Sequence, residues 1–466
     1  VETQLPLRRL RDLGGPIALP LVGNVFQMRR TKVHQDVEAW CYRYGPLFRI
    51  KLGRTPVLVV ARHETVSAIM RDRPDGFRRP SVMTRVSDEM GGLPGVFLAE
   101  GSAWRAQRRM VMAAFAPHAV RAYFPSIVSV ALRLRARWSE AARNGCAIDL
   151  SADLKRYTVD IIAGLAFGKE VDTLSGGEDT IQQHLDVIME AEASRSLSLV
   201  PYWRWFKLPA DRRLDHSIDT VKRLIDQLIT AARVRLQADP ARAAQPANML
   251  EAMLVAAGME GSGVDDAAVA GNVSTMLLAG EDTTAHTIAW TIFLLQRHPD
   301  LLRRAREEVL ALAPDPALLT LEQADSLSFL DACVNEAMRL KPVGPFMPLE
   351  AVRPTVVEDV EVPAGGIVWC VMRHDSVDGR YFDKPLQFEP DRWLNGDTAA
   401  KRIGMPFGAG PRTCPGRYLA LLEVKVALAM LLASFDGIAV DGSDEEHMAF
   451  VMGPRGLSMR LQQASR

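Results

Sequence analysis

The chain has 466 residues, 48% hydrophobic and 24% charged, which excludes a fibrous or disordered protein and fits an ordinary globular one. Its 56 Lys and Arg offset 56 Asp and Glu, so bulk charge gives no reason to bind nucleic acid or an anionic membrane. No apolar run reaches the roughly 18 residues of a membrane span, and Val1–Asp12 is charged without a secretory core, so no integral span is expected.

Residues 1–30 read as an extended arm, broken by Gly14, Gly15, Pro16, Pro20 and Gly23. Leu47–Ile50 and Val57–Val60 are short β-type runs around Gly53-Arg54-Thr55-Pro56, a predicted hairpin. From Ser102 to Leu340 the periodicity is mostly helical, with Ala119–Arg143, Arg213–Leu236 and Asp265–Arg297 the longest helices. The last starts after Gly261-Ser262-Gly263 and stops before His298-Pro299. It would run about 50 Å. Its centre, Val273–Ala279, is apolar or small, so it should pass through the core. After Leu340, prolines at 342, 345, 348 and 354 precede β-type runs at Val356–Val362 and Ile367–Met372. A helix is expected over Pro415–Ala433 and a strand-and-turn tail over Met448–Leu461. One large domain over 1–466, mainly α with a minor β part, is the economical fold.

Cys41, Cys146, Cys333, Cys370 and Cys414 show neither C-x-x-C nor a Cys/His pairing, which argues against zinc and for a reducing compartment. At least four of them should be structural and buried. Cys414 differs in its setting, Phe407-Gly408-Ala409-Gly410-Pro411-Arg412-Thr413-Cys414-Pro415-Gly416. Pro415 suits a first helical position, which would set the sulfur against unpaired N–H groups and lower its pKa. The glycines allow close approach to a flat cofactor.

This segment resembles F-x-x-G-x-R-x-C-x-G, the haem-binding signature of the cytochrome P450 family, with Phe407, Gly410, Arg412, Cys414 and Gly416 in place. Further motifs follow in that family's order. Ala279-Gly280-Glu281-Asp282-Thr283-Thr284 is similar to its oxygen-activation motif. On the residues alone, Thr283 can bond back to the Ala279 carbonyl, with or without a function. Glu336-x-x-Arg339 could be an ordinary surface ion pair. With Arg392 in Phe388-Glu389-Pro390-Asp391-Arg392-Trp393 it resembles the family's structural triad, although Asp391 and Trp393 replace the usual Glu and Phe. Trp104-x-x-x-Arg108 resembles a propionate-binding pair; Arg353 is a further candidate for that role, and His374 reads as structural.

The resemblance implies a cytochrome P450 fold, with a long central buried helix over haem b and small sheets. It implies Cys414 as axial iron ligand and Trp104, Arg108, Ala279, Arg353, Phe407, Gly408, Arg412 and Gly416 at the cofactor. Asp282 and Thr283 would supply protons, and Glu336, Arg339 and Arg392 would hold the fold. The reaction would be a monooxygenation of a hydrophobic small molecule by O2, with electrons from NAD(P)H through a separate ferredoxin, flavodoxin or reductase. Arg105, Arg109, Arg402 and Arg417 could form its docking face. Family analogy places Phe97, Met276, Ala279, Val343, Phe346, Phe450 and Val451 at the substrate pocket. A cytoplasmic, bacterial monomer is expected. The alternatives are a peroxide-driven or isomerising haem-thiolate enzyme, or a non-catalytic haem sensor or carrier.

Overall fold

The computed structural model describes residues 7–92, 95–168, 172–174, 180–196, 198, 200–396 and 398–464. Its axis is one unbroken helix, Asp266–Gln296, capped by the Asp265 side chain, which accepts from the Ala268 N–H. The predicted span is thus right to within a residue at each end. Nearly every residue from Thr284 to Leu295 is buried, so this half of the helix has no polar face to offer solvent. Helix Leu150–Phe167 crosses it closely. A Cβ on Gly280 would stand 2.2 Å from Ile162 Cδ1, so that glycine permits the approach. The other two predicted long helices run Pro117–Arg143 and Pro209–Ala238.

Among the described residues the β part is four small sheets. The largest orders Leu47–Leu52, Thr55–Val60, Ile367–Val371, Phe346–Ala351 and Phe77–Arg78. The predicted hairpin is its first pair. The arm is less featureless than expected, because Arg8–Arg9 pairs in parallel with Val360–Glu361. The run Val356–Val362 is not one strand but two, Thr355–Val357 and Val360–Val362, reversed at Glu358, whose φ is 56°. The tail forms Glu446–Met448 and Met452–Pro454, then Ser458–Gln463.

A buried carboxylate ties the tail to the first helix, Val33–Tyr44. Glu446 meets His34 Nε2 at 2.8 Å, Lys341 Nζ at 2.7 Å and Arg373 Nη1 at 2.6 Å. Three cationic or N–H partners hold its carboxyl far below the usual range despite burial, which works the other way. No helix among the described residues is long and apolar enough to cross a membrane.

Candidate functional site

The loop before helix Arg417–Ser434 positions Cys414. Its backbone N–H donates to the Phe407 carbonyl at 3.0 Å, closing the loop on itself. Gly410 has φ of 71°, and a Cβ there would lie 2.6 Å from Arg71 Cα, so no larger residue fits. The helix starts at Arg417 rather than at Pro415, leaving Cys414 three residues upstream of it. The thiol is surrounded by protein, although its surface is open on one side. Burial pushes its pKa up, and the Gly416 N–H and the Arg108 charge only partly oppose that. In the metal-free chain the expected lowering is not found: desolvation outweighs the loop's N–H groups, and coordination to a metal would favour the thiolate. Of the other cysteines, Cys41, Cys333 and Cys370 are buried as expected, while Cys146 is exposed beyond the end of helix Pro117–Arg143.

Arginines gather beside this loop. Arg412 donates to the Ala99 carbonyl at 2.6 Å and to the Glu100 carboxylate, and lies 4.7 Å from the Trp104 ring centroid. Arg108 donates to the Thr413 carbonyl at 2.8 Å. Arg73 and Arg79 join them. Burial lowers Arg412 to about 10; Glu100 opposes this, while Arg73 and Arg108 add to it. Arg79 is depressed well below its usual value by burial, and then by Arg73 and Arg412. Arg353 donates to the Asp75 carbonyl (3.1 Å) and to Asp72 Oδ1 (3.4 Å), with an exposed side chain.

This donor set can be tested against a haem. Arg412 Nε and Arg73 Nε and Nη2 are buried without hydrogen-bond partners. Four guanidinium groups outnumber the carboxylates of Glu100 and Glu192 among them. Such a cluster fits a flat group that brings two carboxylates of its own, beside a sulfur ligand. Arg73 and Arg79 belong to none of the motifs. The signal available was the basic run Arg71, Arg73, Arg78, Arg79.

On the central helix, the Thr283 hydroxyl donates to the Ala279 carbonyl at 2.7 Å, as its spacing suggested. Asp282 pairs with Lys155 Nζ at 2.8 Å, and Lys155 reaches Asp186 at 2.9 Å. Burial alone would lower the Lys155 ammonium; the two carboxylates reverse that and raise it. No motif announced Lys155. Ala279 is exposed, unlike the buried helix centre expected, while Met276 is half-buried. Phe97 and Phe450 pack with centroids 5.7 Å apart, and the Met452 N–H donates to the Val343 carbonyl at 2.8 Å, bringing those segments together. Val451 turns the same hairpin, whereas Phe346 stacks on Trp369 at 5.2 Å. A basic surface groove of 770 Å³, lined by Arg9, Arg49, Lys51 and Arg54, contains none of these residues.

Glu336 is the hub of a buried cluster. Arg339 donates to it twice, at 2.8 and 2.7 Å, and Arg392 Nε at 3.3 Å. Trp393, where the resemblance had faltered, donates its Nε1–H to Glu336 Oε2 at 3.0 Å. Asp391 pairs with Arg304 at 2.9 Å. His374 bonds Asp375 at 2.9 Å, among structural groups.

A family model described as "Cytochrome P450" matches residues 13–460. Similar curated proteins include a beta-amyrin 24-hydroxylase of Glycine max, 26% identical over 94% of this chain and 88% of its own. A steroid 21-hydroxylase of Sus scrofa is 28% identical over 93% and 88%. A chloroplastic carotene epsilon-monooxygenase of Arabidopsis thaliana is 26% identical over 90% and 80%. These come from plants and an animal and lend no support to the expected bacterial origin.

Proposed function

The chain belongs to the cytochrome P450 family of haem-thiolate monooxygenases, and on that premise we propose that it oxygenates a hydrophobic small molecule with Cys414 as the iron ligand. The Cys414 loop, with partnerless arginine nitrogens beside it, is the observation that carries this reading. Haem, when bound, supplies dioxygen activation and oxygen transfer.

The rest is the work of the chain's own groups. Arg412, Arg108, Arg73 and Trp104 would hold the anionic edge of the cofactor. Thr283 keeps its hydroxyl proton on the Ala279 carbonyl and can turn it inward. Asp282 is tethered through Lys155 to Asp186, whose side chain is half-exposed. That line of hydrogen-bonding groups offers protons a route from solvent to the middle of an apolar helix. Phe97, Met276, Val343, Phe450 and Val451 would exclude water around the substrate. The substrates in the relatives' names, beta-amyrin, a steroid and carotene, support a lipophilic one.

Electrons would come from NAD(P)H through a separate acidic partner. Arg105, Arg109, Arg402 and Arg417 are all exposed, although Arg105 is already paired with Asp75 at 2.5 Å. Carbon monoxide added to the reduced protein tests the central claim. A red-shifted band is expected, lost in Cys414→Ser with the helical circular dichroism retained. A band at the position of histidine-ligated haem would overturn the assignment.

A further inference from the structure

Arg79 adjoins the aromatic pair at Phe97, and Glu192 interacts with Arg79 from a helix whose Ala191 packs on Val86 and Met90; the mechanism above uses neither group. The Arg79 guanidinium lies over the Phe97 ring, 3.4 Å from its centroid, and its Nε donates to the Phe97 carbonyl at 2.6 Å. Its two terminal nitrogens take no hydrogen bond within the described chain. Glu192, on helix Thr180–Ser196, is 8% exposed, and its Oε1 has no hydrogen-bond partner. The two attract each other, yet form neither a hydrogen bond nor an ion pair.

That arrangement is costly as it stands. A buried acceptor without a donor loses its hydration for nothing, and a cation already facing Arg73 and Arg412 gains little. A direct Arg–Glu pair would relieve both, and the fold does not make one. One group that accepts from Arg79 and shares a proton with Glu192 would satisfy the two together. A hydroxyl or a carboxyl does so; a hydrocarbon cannot.

We propose that Arg79 and Glu192 select an amphipathic substrate by its oxygen-bearing head, a hydroxyl or a carboxyl, while Phe97 and Phe450 line its hydrophobic body. The proposal rests on the haem-thiolate reading and names the substrate class of that same site. Burial raises the Glu192 carboxyl to about 7, against the pull of Arg79, so near neutrality it can either give or take the shared proton. A site that hydrogen-bonds a substrate oxygen rejects the analogue lacking it far more strongly than an apolar wall can.

The test is a titration of the haem-loaded enzyme with 1-dodecanol, dodecanoic acid and dodecane, reading the substrate-induced shift of the haem absorbance. The alcohol or the acid should bind at least about tenfold more tightly than the hydrocarbon. Glu192→Leu with Arg79→Leu should erase that preference, and Glu192→Gln should keep most of it for the alcohol. If the double variant does not fold, Glu192→Leu alone should reduce the preference for the alcohol severalfold. Equal binding of the three probes, or a preference that survives Glu192→Leu, overturns the proposal. The carbon monoxide band, recorded on every variant, separates the two failures. Its absence sinks the haem-thiolate reading, while its presence without head-group discrimination sinks only this inference.

Discussion

Thr283 and His286 lie three residues apart on the central helix and carry different burdens. Thr283 holds a proton where the surrounding helix is apolar, so Thr283→Ala should lower product formed per dioxygen consumed about tenfold or more. Substrate binding should change little, and peroxide release measured beside product checks the split. His286 is packed so closely to the tail hairpin that a Cβ on Gly453 would meet its ring at 2.5 Å. Burial lowers its pKa to about 4; Asp282 pulls it back, while Lys155 and His447 push the same way as burial. The unfolded imidazole titrates near 6.5. Above that pH it is neutral in both states. Between 6.5 and 4 only the unfolded chain takes the proton, so stability falls as pH falls through that window, by a few kcal/mol at its lower end. Urea unfolding of the parent and of His286→Leu at pH 7.5 and 4.5 should differ by that loss, because carboxyls such as Glu192, which titrate with the opposite sign, are common to both. The Thr283 bond was legible in sequence because its acceptor is one turn away. The Lys155 partnership was not, since no local pattern joins it to Asp282. The Cys414 thiol was misread for a related reason: the loop's N–H groups are local and visible, whereas the protein mass that desolvates the sulfur is not.

At the level of elements, the Glu336 cluster fastens helix Ser328–Leu340 to the segment 383–393. Trp393 adds a hydrogen bond to a buried carboxylate that phenylalanine could not make. Trp393→Phe should therefore destabilise the fold by about 1–2 kcal/mol, seen as a lower urea midpoint with unchanged slope. The long helices were legible because period and end signals agreed, as at Gly261-Ser262-Gly263 and His298-Pro299. Legibility failed where the signals conflicted. Val356–Val362 reads as one valine-rich β-type run, and its turn falls on Glu358 and Asp359 with neither glycine nor proline to mark it. Pro415 looked like a helix start, yet the loop extends two residues further, through Gly416.

Across the whole molecule, on the proposed reading the exposed Arg109 and Arg417 would be part of the surface that an electron donor meets. Arg109→Glu combined with Arg417→Glu should slow partner-driven reduction about tenfold at low salt, with the difference shrinking as salt rises. Reduction by dithionite should be unaffected, which separates lost docking from lost cofactor. Motifs that chemistry confines to a few consecutive residues were readable along the chain, and so was the mainly α architecture. What could not be read was assembled from distant segments: Arg73 and Arg79 beside Arg412, Glu192 facing Arg79, and Asp186 behind Lys155.

The Glu446 hub carries a further consequence, for engineering. The hairpin presenting Phe450 and Val451 is pinned to the first helix through His34 and to the core through Arg373 and Lys341. A substitution library confined to residues lining the pocket would miss this lever. Exchanging His34, in a helix with no part in the chemistry, should shift the hairpin and with it the range of molecules accepted. Product profiles of His34 variants over a mixed panel of lipophilic compounds would then differ from the parent's, while those of variants at the exposed, distant Arg460 would not.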